Sequence, residues 1–443
     1  MKKWFNFGSC LAAAGLMAGT VAWGAGVATT GFPLAGGGGF LTLPLTGNEQ
    51  GLFDTLLPNG QNPQSEAISL NQIASFVGAT GKVNVLIGGD ATTNLFQRAT
   101  AGASVTTAIT YGGPDRWAYW SGVNTAMTVS QDLTAVDIPV GFKAAFKMAR
   151  TAAQTGVVQM CMAQEVEGVN AYQFQSAVAE LSFNVVTGAN FSSLNSNMNA
   201  FIVTGTGADE GVTKLAFGLN GGGGGASAWT GQANATVGLI SLGGVSTAGR
   251  YGVVASIPAT ATEMAVVLCY TPTGTAGAND YIAFSGIQLN RNPYLSAFIS
   301  ASVGYSGAVV PFSIFDRRSM AVETELQQRY TYSINEGTIT AGSAMASAGM
   351  APSATTCLTS LPFPVPMRSA PTFTNALTAS TFKLNSAAVN VALSAPFAAT
   401  TGANNVTGAS ITFTATTLAA TPGFACILVS AAGSGQMLFS SEF

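Results

Sequence analysis

The chain has 443 residues, of which only 8% are charged, and its 16 basic and 19 acidic side chains give a formal net charge of −3. This balance excludes a basic nucleic-acid-binding surface, because phosphate contacts depend on clustered lysine and arginine. Histidine is absent, which excludes Ser-His-Asp and Cys-His catalytic sites and any zinc site that needs imidazole.

The first 26 residues contain Lys2 and Lys3, followed by an apolar stretch from Leu11 to Trp23. This pattern is typical of a secretory signal, with Ala22-Trp23-Gly24 as the best cleavage site. An apolar segment retained inside an assembly explains it equally well. A membrane anchor is the third alternative, although the stretch is short for a membrane span.

Residues 27–82 predict an extended arm with one short helix. Prolines at positions 33, 44, 58 and 63 interrupt regular structure. Only residues 65–78 have a helical pattern, with Ile68, Ile73 and Phe76 on one side. Because the arm is too thin to bury a core, we expect it to pack on a partner or on a copy of itself.

Residues 83–315 predict a central domain of antiparallel strands folded as a jelly-roll sandwich. Short apolar runs with period-2 alternation are separated by turns rich in Gly, Thr, Ser and Asn, with no intervening helices. Phe146 and Met148, for example, alternate with Lys147. Gly221 to Gly225 form a loop. The predicted strands lie within 142–152, 157–166, 179–188, 199–207, 251–258, 263–272 and 281–290.

Residues 316–330 carry the densest charge in the chain. They predict a short amphipathic helix or linker, with Met320 and Leu326 facing a core.

Residues 331–443 predict a second β-sandwich-like domain with a Ser, Thr and Ala surface. Strand-like alternation returns in this region, and residues 410–418 and 424–431 look like paired strands. Its charged residues are Glu336, Arg368, Lys383 and Glu442.

Several segments resemble, in the same order, a module of tailed-bacteriophage tail fibres and minor virion proteins. "NVLIGGDATTNLFQR" (84–98) is similar to the first strand of that module, and "YGGPDRWAYWSG" (111–122) to its "T-A-D-R-W" segment. The stretches 142–168, 181–192 and 257–291 resemble its following strands. "ELQQRYTYS" (325–333) resembles the join to a C-terminal domain, and the arm also looks like the leading arm of such proteins.

The resemblance implies a jelly roll like that of carbohydrate-binding modules, assembly as a homotrimer, and no enzyme activity. The sequence departs from the family pattern at Asn290, where the family often has an acid, and at Gln327, where it often has Cys. A signal-like start is unusual for phage proteins assembled in the host cytoplasm. These departures bear on the position in the virion more than on the fold.

The five cysteines are far apart, odd in number and without a CxxC motif. Cys161 and Cys269 sit in apolar strand-like runs, so we expect buried free thiols that act as small hydrophobes.

The carboxylates favour structural roles. Glu165 and Glu167 fall on one face of a strand, where we expect a solvated edge that discourages edge-to-edge pairing rather than a glycosidase pair. Asp209 and Glu210 are predicted turn residues, with a bound cation as the less favoured alternative.

Aromatic rings that bind sugars must be exposed and flat, and the best candidates for glycan contacts are Trp120, Trp229 and Tyr251. Alternation places Trp117 and Tyr119 on one face of a strand and Trp120 on the other. We interpret Asp115, Arg116 and Trp117 as a structural brace, because a guanidinium pairs with carboxylates and stacks on aromatic rings.

One metal site follows from the likeness to carbohydrate-binding modules, whose acids at the equivalent strand can hold a structural calcium ion. The candidate ligands are Asp280 and Asp90, supplemented by backbone carbonyls, since calcium takes six to eight oxygens. No other cofactor is expected.

The sequence therefore predicts a mainly β, non-enzymatic virion protein: a tail fibre, head fibre or decoration protein at the virion surface. Its expected partners are copies of itself, as a homotrimer, other virion proteins and a host-surface glycan, but not nucleic acid. The alternative is a secreted or cell-surface bacterial adhesin or carbohydrate-binding protein.

Overall fold

A computed structural model provides the structure of the chain. It describes residues 50–55, 64–69, 84–92, 97–98, 103–105, 107–111, 113–122, 127–215, 228–242, 245–291, 305–306, 315–335, 340, 343–376, 382–386, 389–392, 398–414, 421–430 and 435–442. The chain divides into two compact units, residues 1–81 and 82–443. The signal-like segment 1–26 and the glycine run 221–225 lie outside the described residues.

The first unit contains a hairpin of two antiparallel strands, β1 (Gln50–Thr55) and β2 (Gln64–Ser69), with Gln50 opposite Ser69. The prediction of a helix over residues 65–78 is therefore wrong for residues 65–69, which are part of β2. The backbone pairing with β1, which a local pattern does not reveal, makes these residues a strand. The rest of the predicted helix lies outside the described residues.

The second unit begins with a sandwich of two antiparallel sheets. One sheet has the order β10-β9-β12-β7-β4, and the other has the order β14-β11-β8-β13-β6-β5-β3. The strands are β3 (Ala103–Ser104), β4 (Ala118–Ser121), β5 (Met127–Asp132), β6 (Ala145–Arg150), β7 (Met160–Val166), β8 (Val178–Thr187), β9 (Asn197–Gly205), β10 (Ala233–Ser241), β11 (Ala248–Ser256), β12 (Glu263–Tyr270), β13 (Tyr281–Arg291) and β14 (Tyr305–Ser306). A short helix, α1 (Gly168–Ala171), follows β7.

Period-2 alternation forms the core between these two sheets. Phe146, Phe183 and Phe284 from the larger sheet are fully buried against Met162 and Leu268 from the smaller one. Burying such a side chain contributes about 1.5–3 kcal/mol. The mainly β, antiparallel sandwich predicted from the sequence is confirmed.

The strand β4 shows the same alternation. Trp117 and Tyr119 belong to the core between the sheets, whereas Trp120 lies on the outer face of the smaller sheet. The predicted division of the three rings between two faces is correct.

The prediction of free thiols is wrong for four cysteines. Cys161 on β7 lies directly opposite Cys269 on β12, their Cα atoms are 4.2 Å apart, and their sulfurs are bonded. Cys357 and Cys426 form a second disulfide within one sheet of the C-terminal sandwich. The partners are 108 and 69 residues apart in sequence, and only the strand register brings them together.

The predicted first strand at 84–98 is also wrong for its described beginning. Residues 84–92 run beside β13 without regular strand structure, held by hydrogen bonds such as Ile287 N to Gly89 O at 2.9 Å. A Cβ atom at Gly89 would lie 2.0 Å from the carbonyl oxygen of Ile287. This close approach explains why the segment needs glycine there.

The helix α2 (Met320–Gln328) lies within the charged segment 316–330. Its buried residues are Glu323 and Gln327, while Met320 is 41% exposed. The predicted orientation of Met320 toward a core is therefore wrong. Glu323 is buried because its carboxylate accepts hydrogen bonds from Gly88 N and from Arg318, so α2 attaches through charge rather than through apolar packing.

A second sandwich follows α2. Its sheets have the orders β15-β24-β18 and β20-β19-β23-β16-β17-β22-β21. Its strands are β15 (Thr331–Asn335), β16 (Gly349–Ser353), β17 (Thr356–Pro362), β18 (Thr372–Asn375), β19 (Phe382–Ser386), β20 (Val389–Ala392), β21 (Ala398–Asn405), β22 (Gly408–Thr414), β23 (Ala425–Ser430) and β24 (Gln436–Ser440).

The sheet order corrects one predicted pair of strands. The segments 410–418 and 424–431 contribute β22 and β23, but β16 and β17 lie between these strands. Both segments alternate correctly, with Ile411 and Leu428 in the core, and alternation alone does not encode which strands are neighbours.

A buried ion pair joins the second sandwich to the first. The Arg116 guanidinium donates to the Glu442 carboxylate, stacks 3.6 Å from the centre of the Tyr330 ring, and donates to Glu165 O at 2.9 Å. Arg98 adds a second bridge, 3.4 Å from Asp115 and 3.6 Å from Glu442. The predicted structural brace at Asp115 and Arg116 therefore links the two sandwiches, instead of stabilising only the start of one strand.

Within the described part of the chain, no helix is both long and apolar enough to cross a lipid bilayer.

Candidate functional site

A cleft of about 680 Å³ lies on the outer face of the seven-stranded sheet of the first sandwich. The segment 134–140, which follows β5, forms one wall, and the first residue of β13 and the last two residues of β8 contribute to the lining. The volume falls in the range of small-molecule sites, roughly 300–1,000 Å³. The lining residues are Thr134, Ala135, Val136, Asp137, Ile138, Pro139, Val140, Val186, Thr187, Ala189, Ser246, Ala248, Asn279 and Tyr281.

The lining combines exposed aliphatic side chains with hydroxyl and amide groups. Val136 and Val140 are 80% and 99% exposed, while Thr134, Ser246 and Asn279 offer polar atoms from exposed positions. Such a surface contacts the C–H groups of a ligand and hydrogen-bonds its hydroxyls, which is the usual composition of a small-molecule site.

A charged cluster fixes the wall of the cleft to the sheet. Lys147 Nζ lies 2.7 Å from a carboxylate oxygen of both Asp132 and Asp137, and the Tyr281 hydroxyl donates to Asp137. Lys147 also lies 4.1 Å from the centre of the Tyr281 ring. The carboxylate of Asp137 is therefore already occupied by two donors from the sheet.

The pKa shifts in this cluster follow from the same contacts. Burial alone would lower the pKa of Lys147, but its hydrogen bonds to Asp132 and Asp137 outweigh burial and raise it. Burial would raise the pKa of Asp132, but hydrogen bonds from Lys147 and Thr134 hold it below its usual value. Burial and the bond to Asp137 raise the pKa of Tyr281. At neutral pH these shifts keep Lys147 and Asp132 charged and the Tyr281 hydroxyl protonated, so that it can donate to Asp137.

The three rings predicted to contact glycans lack the exposed flat face that the prediction required. Trp120 is fully buried, Trp229 is 2% exposed and Tyr251 is 6% exposed. Trp229 packs on the outer face of the smaller sheet near Trp120, with its indole N–H donating to Gly211 O at 2.8 Å, while Tyr251 belongs to the main core. The candidate site for a glycan contact is therefore the cleft and not these three rings.

The predicted calcium ligand Asp280 has a cationic partner from the chain itself. Arg150, with a fully buried side chain, lies 2.8 Å from the Asp280 carboxylate. Its guanidinium also donates to Ser192 Oγ and to carbonyl oxygens of residues 154, 156, 273 and 274. Six oxygens therefore surround the Arg150 guanidinium at the position where the sequence predicts a calcium ion.

The second predicted calcium ligand, Asp90, lies elsewhere. Its carboxylate is 3.8 Å from Arg317, and burial together with the nearby Glu323 raises its pKa. In the described residues, no group of three or more acidic or cysteine side chains is suited to a metal ion. We expect Arg150, rather than a metal, to neutralise Asp280.

The predicted solvated edge at Glu165 and Glu167 is wrong. The strand β7 lies inside its sheet, between β12 and β4, and the two side chains are 1% and 7% exposed. Glu167 pairs with Arg329 at 3.0 Å. Burial raises the pKa of Glu165 to about 8, although Arg116 and a hydrogen bond from the Gly211 backbone act in the opposite direction.

The turn residues Asp209 and Glu210 have partners within the chain. The Asp209 carboxylate accepts from Gly168 N at 2.7 Å and lies 3.7 Å from Arg368. Glu210 accepts from Thr230 N and lies 3.9 Å from Lys214. Both carboxylates therefore stabilise loops.

Sequence reasoning missed Arg150, Asp137 and Tyr281. Asp137 and Tyr281 are 144 residues apart, and Arg150 and Asp280 are 130 apart. The one local signal was Arg150 itself, a cation at the end of β6 that must find an acid when buried.

No protein-family model and no curated protein matches the chain. Among solved structures, the enzymatically active domain of tailspike protein 4 of bacteriophage CBA120 is similar at 13% identity and a TM-score of 0.25, over 47% of this chain and 22% of that one. A xylan-binding domain from CBM 22 is similar at 11% identity and a TM-score of 0.23, over 44% and 98% of the two chains.

The K2 cleaved adhesin domain of Lys-gingipain is similar at 8% identity and a TM-score of 0.24, over 44% of this chain and 99% of that one. Similarity this low carries no argument about function. The assignment of an antiparallel β-sandwich rests on the sheet order and register of the chain itself.

We predict that Arg150 and not calcium holds the Asp280 region together. Arg150→Ala should lower the free energy of unfolding by about 3–5 kcal/mol, because it leaves a buried carboxylate unpaired. Arg317→Ala, which removes a side chain that is 47% exposed, should cost about 0–1 kcal/mol. Denaturant unfolding measures both. A lower wild-type stability in EDTA than in calcium would contradict the assignment.

We also predict that Glu165 makes stability fall with rising pH. Its pKa rises from an ordinary 4.5 to about 8 in the fold, so the folded chain keeps a proton that the unfolded chain loses in that interval. Glu165→Gln should therefore increase the free energy of unfolding at pH 8.5 by on the order of 1–3 kcal/mol, which raises the thermal midpoint. At pH 5 the substitution should change the stability little. An equal effect at both pH values would refute this role.

Proposed function

We propose that the chain is a structural protein of a bacteriophage virion, a tail fibre, head fibre or decoration protein, that contacts a host-surface glycan through the cleft. Two lines support the proposal. The ordered sequence segments resemble phage virion proteins, and the cleft offers a surface suited to a sugar.

The cleft is the single observation that carries the glycan contact. Its volume of about 680 Å³ accommodates a few sugar units, since ligand sites of this kind measure roughly 300–1,000 Å³. Thr134, Ser246 and Asn279 supply hydroxyl and amide partners, and Val136 and Val140 supply apolar surface.

Binding without catalysis is the role that the charges of the cleft favour. Among the described residues of the lining, Asp137 is the one carboxylate, and Lys147 and Tyr281 bind it. A general acid or base needs a group free to exchange a proton with the substrate. We therefore propose a non-enzymatic protein.

A secreted or cell-surface adhesin or carbohydrate-binding protein is the second candidate. The two disulfides favour it, because disulfides form and persist in oxidising compartments and are rare in the cytosol. The signal-like amino terminus points the same way. Both candidates share the cleft and differ in where the protein is found.

Mass spectrometry of purified phage particles and of phage-free culture medium separates the two candidates. A particle-bound protein with an intact Met1 peptide is expected for the virion protein. A processed form in phage-free medium would instead support the exported adhesin.

We predict that filling the cleft abolishes glycan binding. Ala248 is exposed and lines the cleft. A glycan that the wild type binds is first identified by array screening. Ala248→Trp should then lower the affinity for that glycan at least tenfold, as measured by calorimetry. The matched control is Ala152→Trp at an exposed turn outside the cleft, which should bind normally. Equal binding by both variants would move the site elsewhere, and no binding by the wild type to any glycan would end the glycan proposal.

A further inference from the structure

The floor of the cleft is made of small aliphatic side chains. Val186 on β8 lies in register between Ala248 on β11 and Ala283 on β13. The next residue toward the middle of β8, Val185, belongs to the core between the sheets, so alternation turns Val186 and its two partners outward. Ala248 is exposed, and its short side chain leaves open space beside Val186 in the cleft that both residues line.

The wall of the cleft continues this aliphatic surface. Ile138 packs against Val186 and Tyr281 on the outer face of the sheet. Val136 and Val140, on either side of Ile138 in the sequence, line the cleft with side chains that are 80% and 99% exposed. Because these methyl groups remain in contact with water, an apolar group of a ligand that covers them gains the free energy of burial.

The cleft offers a sugar no open aromatic face on which to stack. Tyr281 is the one aromatic residue among the described residues of the lining. It is 8% exposed, and the Lys147 ammonium lies over its ring, 4.1 Å from the centre. The apolar contacts of a bound sugar must therefore be made with aliphatic side chains, which cover methyl groups rather than the flat face of a ring.

The charges beside the cleft are already paired. Asp137, the carboxylate of the described lining, lies 2.7 Å from Lys147 Nζ. The exposed polar side chains of the opposite side, Ser246 and Asn279, offer a hydroxyl and an amide. A charged sugar would lose its water here without gaining a free counter-charge, which is costly. The lining suits a neutral ligand whose hydroxyls bond to Ser246 and Asn279.

We propose that the cleft is specific for a neutral 6-deoxyhexose, a sugar whose C6 is a methyl group, within the host-surface glycan. The inference rests on the proposed glycan contact and adds the class of sugar. The C6 methyl group covers the aliphatic wall of Val136, Ile138 and Val140, and the ring hydroxyls bond to Ser246 and Asn279. In an ordinary hexose, C6 carries a hydroxyl that would lose its water against the same wall without gaining a hydrogen bond.

An N-acetyl group also carries a methyl group, but it suits the wall less well. Its N–H and C=O lie next to the methyl carbon and need hydrogen-bond partners of their own when water is excluded. The wall presents branched aliphatic side chains at that position, so a methyl group without polar neighbours is the better match.

The test compares two pairs of methyl glycosides that differ only at C6: the L-fucoside with the L-galactoside, and the L-rhamnoside with the L-mannoside. Burial of one methyl group is worth about fourfold in affinity, and an apolar pocket rejects an added hydroxyl by up to about a hundredfold. In NMR titrations of the full chain, the 6-deoxy sugar of at least one pair should bind more tightly by a factor of about five or more. Saturation transfer should be strongest at its C6 methyl protons.

The variant Val136→Thr/Val140→Thr keeps both side chains β-branched and replaces one methyl group of each with a hydroxyl. Because both side chains are exposed, the fold should be unaffected, and the preference for the 6-deoxy sugar should fall below about twofold. The matched control, Val157→Thr/Val169→Thr, makes the same change at positions 51% and 74% exposed outside the cleft. It should keep the wild-type preference.

Equal binding of both sugars in each pair, or an unchanged preference in Val136→Thr/Val140→Thr, would overturn the 6-deoxyhexose assignment and leave the glycan contact standing. Array binding confined to N-acetylated or charged sugars would have the same consequence. If neither the titrations nor the array detects a bound saccharide, the proposed glycan contact itself fails, and the inference fails with it.

Discussion

The buried ion pair between Arg116 and Glu442 is the interaction on which the arrangement of the two sandwiches depends. Arg116 is 1% exposed and adopts a left-handed backbone conformation with φ of 66°, which costs about 1–3 kcal/mol for a residue other than glycine. The conformation directs the guanidinium out of the first sandwich toward Glu442 and Tyr330. Removing one partner would leave a buried charge uncompensated, at a cost of about 3–5 kcal/mol, so the contact fixes the joint even though the pair itself adds little net stability.

Other ion pairs hold together the rest of the second unit. In a chain with so few charged residues, the described ones are concentrated where segments distant in sequence must meet: Arg318 and Glu323 at α2, Arg150 and Asp280 at the start of β13, Lys147 and Asp137 at the cleft. Each pair holds a loop or helix against a sheet.

Local alternation in the sequence was sufficient to predict the mainly β fold and the split of Trp117, Tyr119 and Trp120 between two faces, because a strand imposes a period of two on its own side chains. It was insufficient wherever the outcome depended on a partner far along the chain. The disulfide between Cys161 and Cys269 needs the register of β7 and β12, the polar buried face of α2 needs the Gly88 amide, and the cleft needs Asp137 to reach Tyr281. The aromatic candidates failed for the same reason: burial of Trp229 is decided by the sheet beneath it.

Differential scanning calorimetry of the full chain and of Arg116→Ala tests most directly whether the buried ion pair joins the sandwiches. The wild type should unfold its two sandwiches in one common transition, and the variant should show the second sandwich unfolding separately at a lower temperature, because a cooperative unit divides when its joint is weakened. A single transition at the wild-type midpoint in Arg116→Ala would contradict the account.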